Sequence, residues 1–152
     1  MRIGSDKRVL FYGIGNVGRE DDGLGIYFID VLEKINLSPN IKLQSNYQLN
    51  IEDALEISNY DLVIFIDATQ SPEAKTPCEF LELQSSSEIS FTTHAMSMES
   101  VLGLCEQLYN KKPKSYLLAI PGYEWGINNQ LSTRAKSNLM ESINVIQNLM
   151  KG

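Results

Sequence analysis

The segment "DLVIFIDA", Asp61 to Ala68, constrains the fold of this chain more than any other stretch. Its five consecutive apolar residues, from Leu62 to Ile66, show none of the polar alternation of a strand with one wet face. A strand that is apolar on both faces is typical of a parallel sheet covered by helices on both sides. The segment therefore predicts a buried strand in an α/β fold.

Strands and helices are predicted to alternate along the rest of the chain. The predicted strands are Arg8–Ile14, Ile41–Tyr47, Asp61–Ala68, Cys78–Gln84 (expected near an edge) and Lys114–Gly122. The predicted helices are Asp22–Ile35, Asn50–Ser58, one that begins near Ser97 and a last one capped by Ser132 or Thr133. This order predicts a single-domain three-layer α/β/α sandwich over residues 1–152, with a mostly parallel twisted sheet of about five strands.

Composition narrows the classes of function. The formal net charge of −6 argues against a general nucleic-acid binder, and the cluster Lys111, Lys112 and Lys114 is interpreted as a solvated helix end or turn. No run approaches ~18 consecutive apolar residues, and the first residues lack the apolar core of a signal peptide, so a cytoplasmic location is expected. Cys78 and Cys105 lie outside any C-x-x-C pattern and are interpreted as two buried, reduced thiols.

The loop after the first predicted strand, "YGIGNVGREDDGLG", permits a nucleotide-binding interpretation. Gly13, Gly15 and Gly18 match the G-x-G-x-x-G turn of a dinucleotide-binding unit. Such a unit usually has an acid near the end of its second strand, and "IKLQSNYQ" offers none. The glycines could instead serve only to let the loop bend tightly or to allow a close approach of the backbone.

The second half of this loop carries three carboxylates, Glu20, Asp21 and Asp22. Several acids beside a pyrophosphate would repel it by more than the roughly 0.3–1 kcal/mol that a helix N-terminus typically offers an anion. The charge of the loop therefore favours a cation over a nucleotide. Asp21 and Asp22 could also be ordinary helix-start residues, which the helix dipole stabilises.

Two further polar residues are expected near this loop. In open α/β sheets ligands bind beyond the carboxyl ends of the strands, where the loops after Tyr12, Ile66 and Phe91 are expected to gather. Asp67 directly follows the apolar run, where an acid is costly unless it is hydrogen-bonded, paired or bound to a cation. His94 is the only histidine, which excludes H-E-x-x-H zinc chemistry, and no G-x-S-x-G segment supplies a serine nucleophile.

Asp22, Asp67 and His94 together suit a site for a divalent transition ion such as Zn²⁺ or Ni²⁺. Three protein ligands leave open positions for water or for a substrate group. Other interpretations stay open for each residue: a cap or loop hydrogen bond for Asp67, and a hydrogen-bonded polar role for His94. A histidine–cysteine pair is also conceivable, but Cys105 falls on an apolar helical stripe.

The three motifs, taken in order, resemble those of the nickel–iron hydrogenase maturation endopeptidases. "GIGNVGREDDGLG" is similar to the family's G-x-G-N…D-[DE]-x-x-G loop, "FIDAT" to its second motif and "TTHAMS" to its third. The resemblance implies that Asp22, Asp67 and His94 are the metal-binding and catalytic residues. Asp21 then has a supporting role only, and Gly18 stands where many family members have a larger residue.

The resemblance also implies a function. Such an enzyme is an endopeptidase that removes the C-terminal extension of a [NiFe] hydrogenase large-subunit precursor after nickel insertion, and the family is sometimes grouped with aspartic-type peptidases. We expect nickel to arrive with the substrate protein, no permanently bound cofactor, and a monomer that binds neither nucleic acid nor membrane. The segment "PGYEWGINNQLS" is expected to contact the substrate protein.

The chemical role of the metal has two versions. The metal either polarises the scissile carbonyl or activates a water, while Asp22 or Asp67 transfers a proton, or it is mainly a recognition signal that bridges both proteins. We favour the second version. Two other classes remain as alternatives, a nucleotide-binding Rossmann-like module and a non-catalytic nickel-binding chaperone.

Overall fold

The computed structural model describes residues 1–71, 73–86, 91, 92 and 95–151. Its strands are β1 (Val9–Ile14), β2 (Ile41–Asn46), β3 (Leu62–Gln70), β4 (Glu79–Glu82), β5 (Phe91–Thr92), β6 (Ala95–Met96) and β7 (Lys114–Gly122). Its helices are α1 (Leu24–Glu33), α2 (Asp53–Ile57), α3 (Met98–Tyr109) and α4 (Thr133–Met150), with one 3₁₀ turn at Glu20–Gly23. The predicted single-domain α/β fold is confirmed.

The main sheet has five strands in the order β2-β1-β3-β7-β4. The strands β1, β2, β3 and β7 are parallel, and β4 pairs with β7 in the antiparallel sense at the edge. The sequence pattern predicted this edge position because the segment alternates apolar and charged residues. The topology leaves the carboxyl ends of β1 and β3 side by side, with Gly13 opposite Ile66.

Helices cover both faces of the sheet, as the apolar run in β3 predicts. Ile64 and Ile66 pack with apolar residues of α1 and α4 on one face. Val63 and Phe65 pack with residues of α2 and α3 on the other face. Because side chains alternate between the two faces of a strand, burial on both sides requires consecutive apolar residues.

The helix starts follow their capping residues. The Ser97 hydroxyl accepts the Ser100 N–H at 3.0 Å, and the Ser132 hydroxyl accepts the Ala135 N–H at 3.2 Å. Ser132 rather than Thr133 is therefore the cap of the last helix. Among the residues that the structure describes, no helix is long and apolar enough to cross a membrane.

Three local predictions need correction. Helix α1 begins at Leu24 rather than Asp22, because Glu20–Gly23 forms a 3₁₀ turn first. Phe91 lies in β5, which pairs with β6 in a separate two-stranded sheet, so the loop after Phe91 does not follow a strand of the main sheet. Both cysteines are free as predicted, but Cys78 is only half-buried, whereas Cys105 is fully buried.

Candidate active site

The loop between β1 and α1 lies close against β3 because glycines let the backbones approach. A Cβ added at Gly15 would overlap the Asp22 carbonyl, and one added at Gly25 would overlap the carbonyls of Ile14 and Ile66. Gly25 therefore allows the start of α1 to sit directly over the ends of β1 and β3. This contact explains why a helix start tolerates a residue that costs helical stability.

Asp22 lies in the 3₁₀ turn, where the first loop folds back on it. The Asn16 N–H donates both to the Asp22 carbonyl and to its Oδ2, each at 3.1 Å. These bonds fix the orientation of the partly buried carboxylate. Its Oδ1 has no hydrogen-bond partner in the part of the chain that the structure describes.

Asp67 follows the buried part of β3 and is itself partly buried. Its Oδ1 accepts the N–H of Ala68 at 2.9 Å. Burial raises the pKa of the Asp67 carboxyl to about 7; the Ala68 N–H opposes this rise, and the negative charge of Asp22 adds to it. The fold thus brings Asp22 and Asp67 close enough for one charge to act on the other.

Asp22 and Asp67 are two carboxylates that could hold a cation. Within residues 1–71, 73–86, 91, 92 and 95–151, no group of three His, Cys, Asp or Glu side chains is arranged to hold a metal ion. His94, the predicted third ligand, lies outside the described residues. In Asp22 and in Asp67, one carboxylate oxygen accepts a backbone N–H and the other oxygen can bind a cation. Carboxylates that bind metal ions are commonly oriented by such hydrogen bonds.

Asp21, predicted to have a supporting role, is an anchor between two loops. It is fully buried and accepts the N–H groups of Tyr123, Glu124 and Ser132 at 2.7, 3.0 and 2.8 Å and the Ser132 hydroxyl at 2.7 Å. Burial is the largest influence on the pKa of its carboxyl and would raise it, but these donors together outweigh burial and lower the pKa. Asp21 therefore stays ionised and holds the segment after β7.

Glu20 adds to this connection and was not predicted. Its Oε1 accepts the Gly126 N–H at 2.7 Å, and its own N–H donates to the Asn128 carbonyl at 2.8 Å. The backbone of Glu20 is left-handed, with φ of 51°, a conformation that costs energy outside glycine and asparagine. The segment "PGYEWGINNQLS", residues 121–132, was predicted to contact a substrate protein, and its part after β7, residues 123–132, is thus hydrogen-bonded to the loop that carries Asp22.

The structure gives no support to the dinucleotide interpretation of the first loop. The N–H of Gly15 donates to Asn46, that of Asn16 to Asp22, and those of Gly18 and Arg19 to Asn16. A phosphate needs such N–H groups to point at it. In this loop they are used within the protein, beside two carboxylates.

The fold is similar to solved structures of hydrogenase maturation proteases. A [NiFe] hydrogenase maturation protease HycI from Thermococcus kodakarensis KOD1 has 21% sequence identity and a TM-score of 0.75, over 97% of this chain and 96% of that chain. The hydrogenase maturating endopeptidase HybD from E. coli has 18% identity and a TM-score of 0.69, over 91% and 89% of the two chains. A hydrogenase 2 maturation peptidase from a Thaumarchaeota archaeon has 17% identity and a TM-score of 0.68, over 93% and 97%.

Comparisons with protein-family models and with curated protein sequences give no match. The structural similarity nevertheless extends over nearly the whole of this chain and of each of the three proteins. The chain therefore has the fold that these hydrogenase maturation proteases share.

Proposed function

We propose that the protein is an endopeptidase that removes the C-terminal extension of a nickel-loaded [NiFe] hydrogenase large-subunit precursor. One observation carries the proposal: in the fold of the hydrogenase maturation proteases, Asp22 and Asp67 meet at the carboxyl ends of β1 and β3. This is the edge at which open α/β sheets bind ligands. The three sequence motifs support the same assignment.

Nickel belongs to the substrate in this proposal. Asp22, Asp67 and His94 bind the ion that the precursor carries, and the ion bridges the two proteins. Burial and the negative charge of Asp22 disfavour the ionised form of Asp67 when no cation is bound, and they raise its pKa. A divalent cation that binds the carboxylate stabilises the ionised form. A precursor without nickel lacks this binding energy and is not processed.

Peptide hydrolysis also needs a group that exchanges a proton near neutral pH. A water must lose a proton as it attacks the scissile carbonyl, and the leaving amine must gain one. The pKa of about 7 belongs to Asp67 without a bound ion, and a divalent cation lowers it, so Asp67 is ionised once the nickel of the precursor has bound. We assign the proton transfer to an oxygen of Asp22 or Asp67 that does not bind the ion, and the positioning of the substrate's nickel to Asp22, Asp67 and His94.

The test is cleavage of a purified precursor, followed by mass spectrometry of the shortened large subunit. We expect the wild-type protein to cleave the nickel-loaded precursor and to leave the nickel-free one intact. Asp22→Asn, Asp67→Asn and His94→Ala should each abolish cleavage while the fold is kept. Asp30→Asn is the matched control, because Asp30 is an exposed acid of α1 that lies outside all three sequence motifs.

Each result bears on a different part of the proposal. Full activity of His94→Ala would contradict the three-residue site. Equal cleavage of nickel-free and nickel-loaded precursor would contradict recognition through nickel. Nickel binding without cleavage of any matched precursor would indicate a non-catalytic nickel-binding protein instead.

A further inference from the structure

Strand β3 extends further than its neighbour β1 at the carboxyl end of the sheet, where Asp22 and Asp67 lie. It pairs with β1 from Leu62 to Ile66, but with β7 from Leu62 to Gln70. Among the described strands, the last residues of β3 therefore have a neighbour on the β7 side only. In the part of the chain that the structure describes, no strand pairs with Ala68–Gln70 on the β1 side.

The hydrogen bonds at the start of β3 establish which backbone groups face that open side. Leu62 donates its N–H to the Arg8 carbonyl just before β1, and the Asp61 carbonyl accepts the N–H of Lys114 in β7. Because successive residues of a strand turn their N–H and C=O groups to opposite sides, even-numbered residues of β3 face β1 and odd-numbered ones face β7. Ala68 and Gln70 thus present their backbone groups to the open side.

Most of these groups are available. The Ala68 N–H donates to the adjacent Asp67 Oδ1 rather than to another strand. The Ala68 carbonyl and the N–H and carbonyl of Gln70 have no partner among the described residues. Gln70 is exposed and Ala68 is partly buried, so solvent reaches this edge.

The surroundings of the edge fit a protein partner better than a small molecule. Four large apolar side chains are exposed on loops that follow the carboxyl ends of parallel strands of the sheet: Val17 after β1, Tyr47 and Ile51 after β2, and Ile127 after β7. Ile127, in the segment held by Asp21 and Glu20, is 88% exposed. Single exposed apolar residues are ordinary, but several on the loops at one end of a sheet are typical of a protein interaction site.

We propose that the substrate's polypeptide extension binds as an added strand along the open edge of β3, at Ala68–Gln70. This inference rests on the proposed endopeptidase function. Alternating N–H and C=O groups of an extended peptide are complementary to the partial charges of the Ala68 carbonyl and the Gln70 N–H and carbonyl. The added strand takes the place in which β1 would continue, so its peptide bonds run past Asp67.

Strand addition places few demands on the sequence of the extension. Main-chain hydrogen bonds contribute affinity without reading side chains. Position along the edge, together with the nickel site, then determines which peptide bond is cut. The competing explanation is that β3 extends beyond β1 because its last residues pair with β7, and that the open side of Ala68–Gln70 binds nothing.

Two substitutions at one residue separate these explanations. Gln70→Pro removes the N–H that faces the open side, at a strand end where proline breaks no bond with β7. Gln70→Ala removes the same side chain but keeps the N–H, so the ratio between the two variants isolates the main-chain donor. With nickel-loaded precursor, we expect KM of Gln70→Pro to be about tenfold higher than that of Gln70→Ala, with kcat nearly equal.

The outcomes are distinct. Equal KM values for the two variants would overturn strand addition while leaving the endopeptidase function intact. Failure of the wild-type protein to cleave any nickel-loaded precursor would overturn the proposed function, and this inference with it. Thermal unfolding of both variants shows whether the proline has damaged the sheet.

A second measurement keeps the inference testable if Gln70→Pro does not fold. Amide hydrogen exchange of the wild-type protein, followed by NMR, reports the Gln70 N–H directly. We add a peptide with the sequence of the excised extension, which has no bond left to cleave, and expect it at saturation to slow exchange of this N–H at least about tenfold, because a strand hydrogen bond protects it. Unchanged exchange at Gln70 under saturating peptide would overturn the proposal.

Discussion

Replacing Asp67 with asparagine should make the metal-free protein more stable at neutral and alkaline pH. The carboxyl sits at the end of a buried strand, and its ionised form is disfavoured by burial and by the charge of Asp22. Asparagine has nearly the same shape, carries no charge and keeps an oxygen that can accept the Ala68 N–H. The substitution therefore removes a cost and keeps the local hydrogen bond.

The size of the gain follows from the pKa. A rise from 3.8 to about 7 is roughly three pKa units, and each unit corresponds to about 1.4 kcal/mol. The ionised carboxyl therefore costs the folded protein up to about 4 kcal/mol, and partial exposure to solvent reduces this to about 2–4 kcal/mol. Such a gain is large beside the total stability of about 5–15 kcal/mol that is typical of a domain.

The pH dependence gives the prediction its sign. Because the folded protein holds the Asp67 proton more tightly than the unfolded chain does, wild-type stability falls as pH rises from about 4 to about 7. Asparagine does not titrate. The advantage of Asp67→Asn should thus be near zero at pH 4, grow up to pH 7 and stay constant above it.

Urea unfolding at pH 4, 5.5 and 8, in the presence of a chelator, measures this difference. Asp30→Asn is the control, since it removes an exposed acid and should change stability little at any of these pH values. In an Asp22→Asn background, the gain from Asp67→Asn should be smaller, because one of its causes is gone. A gain that is absent at pH 8, or equal at pH 4 and pH 8, would refute the assignment of a raised pKa to Asp67.

Three further predictions concern other parts of the structure. Asp21→Asn should lower the free energy of unfolding by about 2–4 kcal/mol at pH 7, because an amide cannot accept all four hydrogen bonds that the carboxylate accepts. The difference from the wild type should shrink below pH 4, because the stability that a carboxyl with a lowered pKa contributes is lost as the carboxyl is protonated. Urea unfolding measures this difference, and an unchanged free energy of unfolding at pH 7 would contradict the anchor role. Gly25→Ala should destabilise the fold by several times the ~1 kcal/mol that alanine would normally add to a helix, since its Cβ would overlap the Ile14 and Ile66 carbonyls; a stabilised variant would contradict that contact. In the native protein a thiol reagent should modify Cys78 well before Cys105, because Cys105 is fully buried and burial raises the pKa of its thiol to about 11. If Cys105 reacted as fast in the native protein as in urea, its burial would be contradicted.

The sequence predicts the fold closely because its strong signals are local. The apolar run in β3 and the alternation in β4 follow directly from which faces of each strand are buried. Ser97 and Ser132 cap their helices through bonds to residues three positions later, so a short window contains the whole interaction.

The candidate site is predictable only in part. Asp22 and Asp67 could be brought together in advance because parallel neighbouring strands end at the same edge of a sheet. The role of Asp21 could not, since three of its four donors are backbone N–H groups more than 100 residues away, which any residue except proline supplies. The left-handed backbone of Glu20 likewise has no signature in its residue type.

The bonds of Asp21 have an evolutionary and practical consequence. Because the anchor and the proposed metal ligand are consecutive residues, a change in the length or shape of residues 123–132 is transmitted to Asp22 through a single peptide unit. A chimeric protein that receives residues 123–132 from another parent must therefore also receive the loop that carries Asp21 and Asp22, with the acid and its donors matched as a unit. Under the proposed endopeptidase function, the same holds for any change of substrate preference.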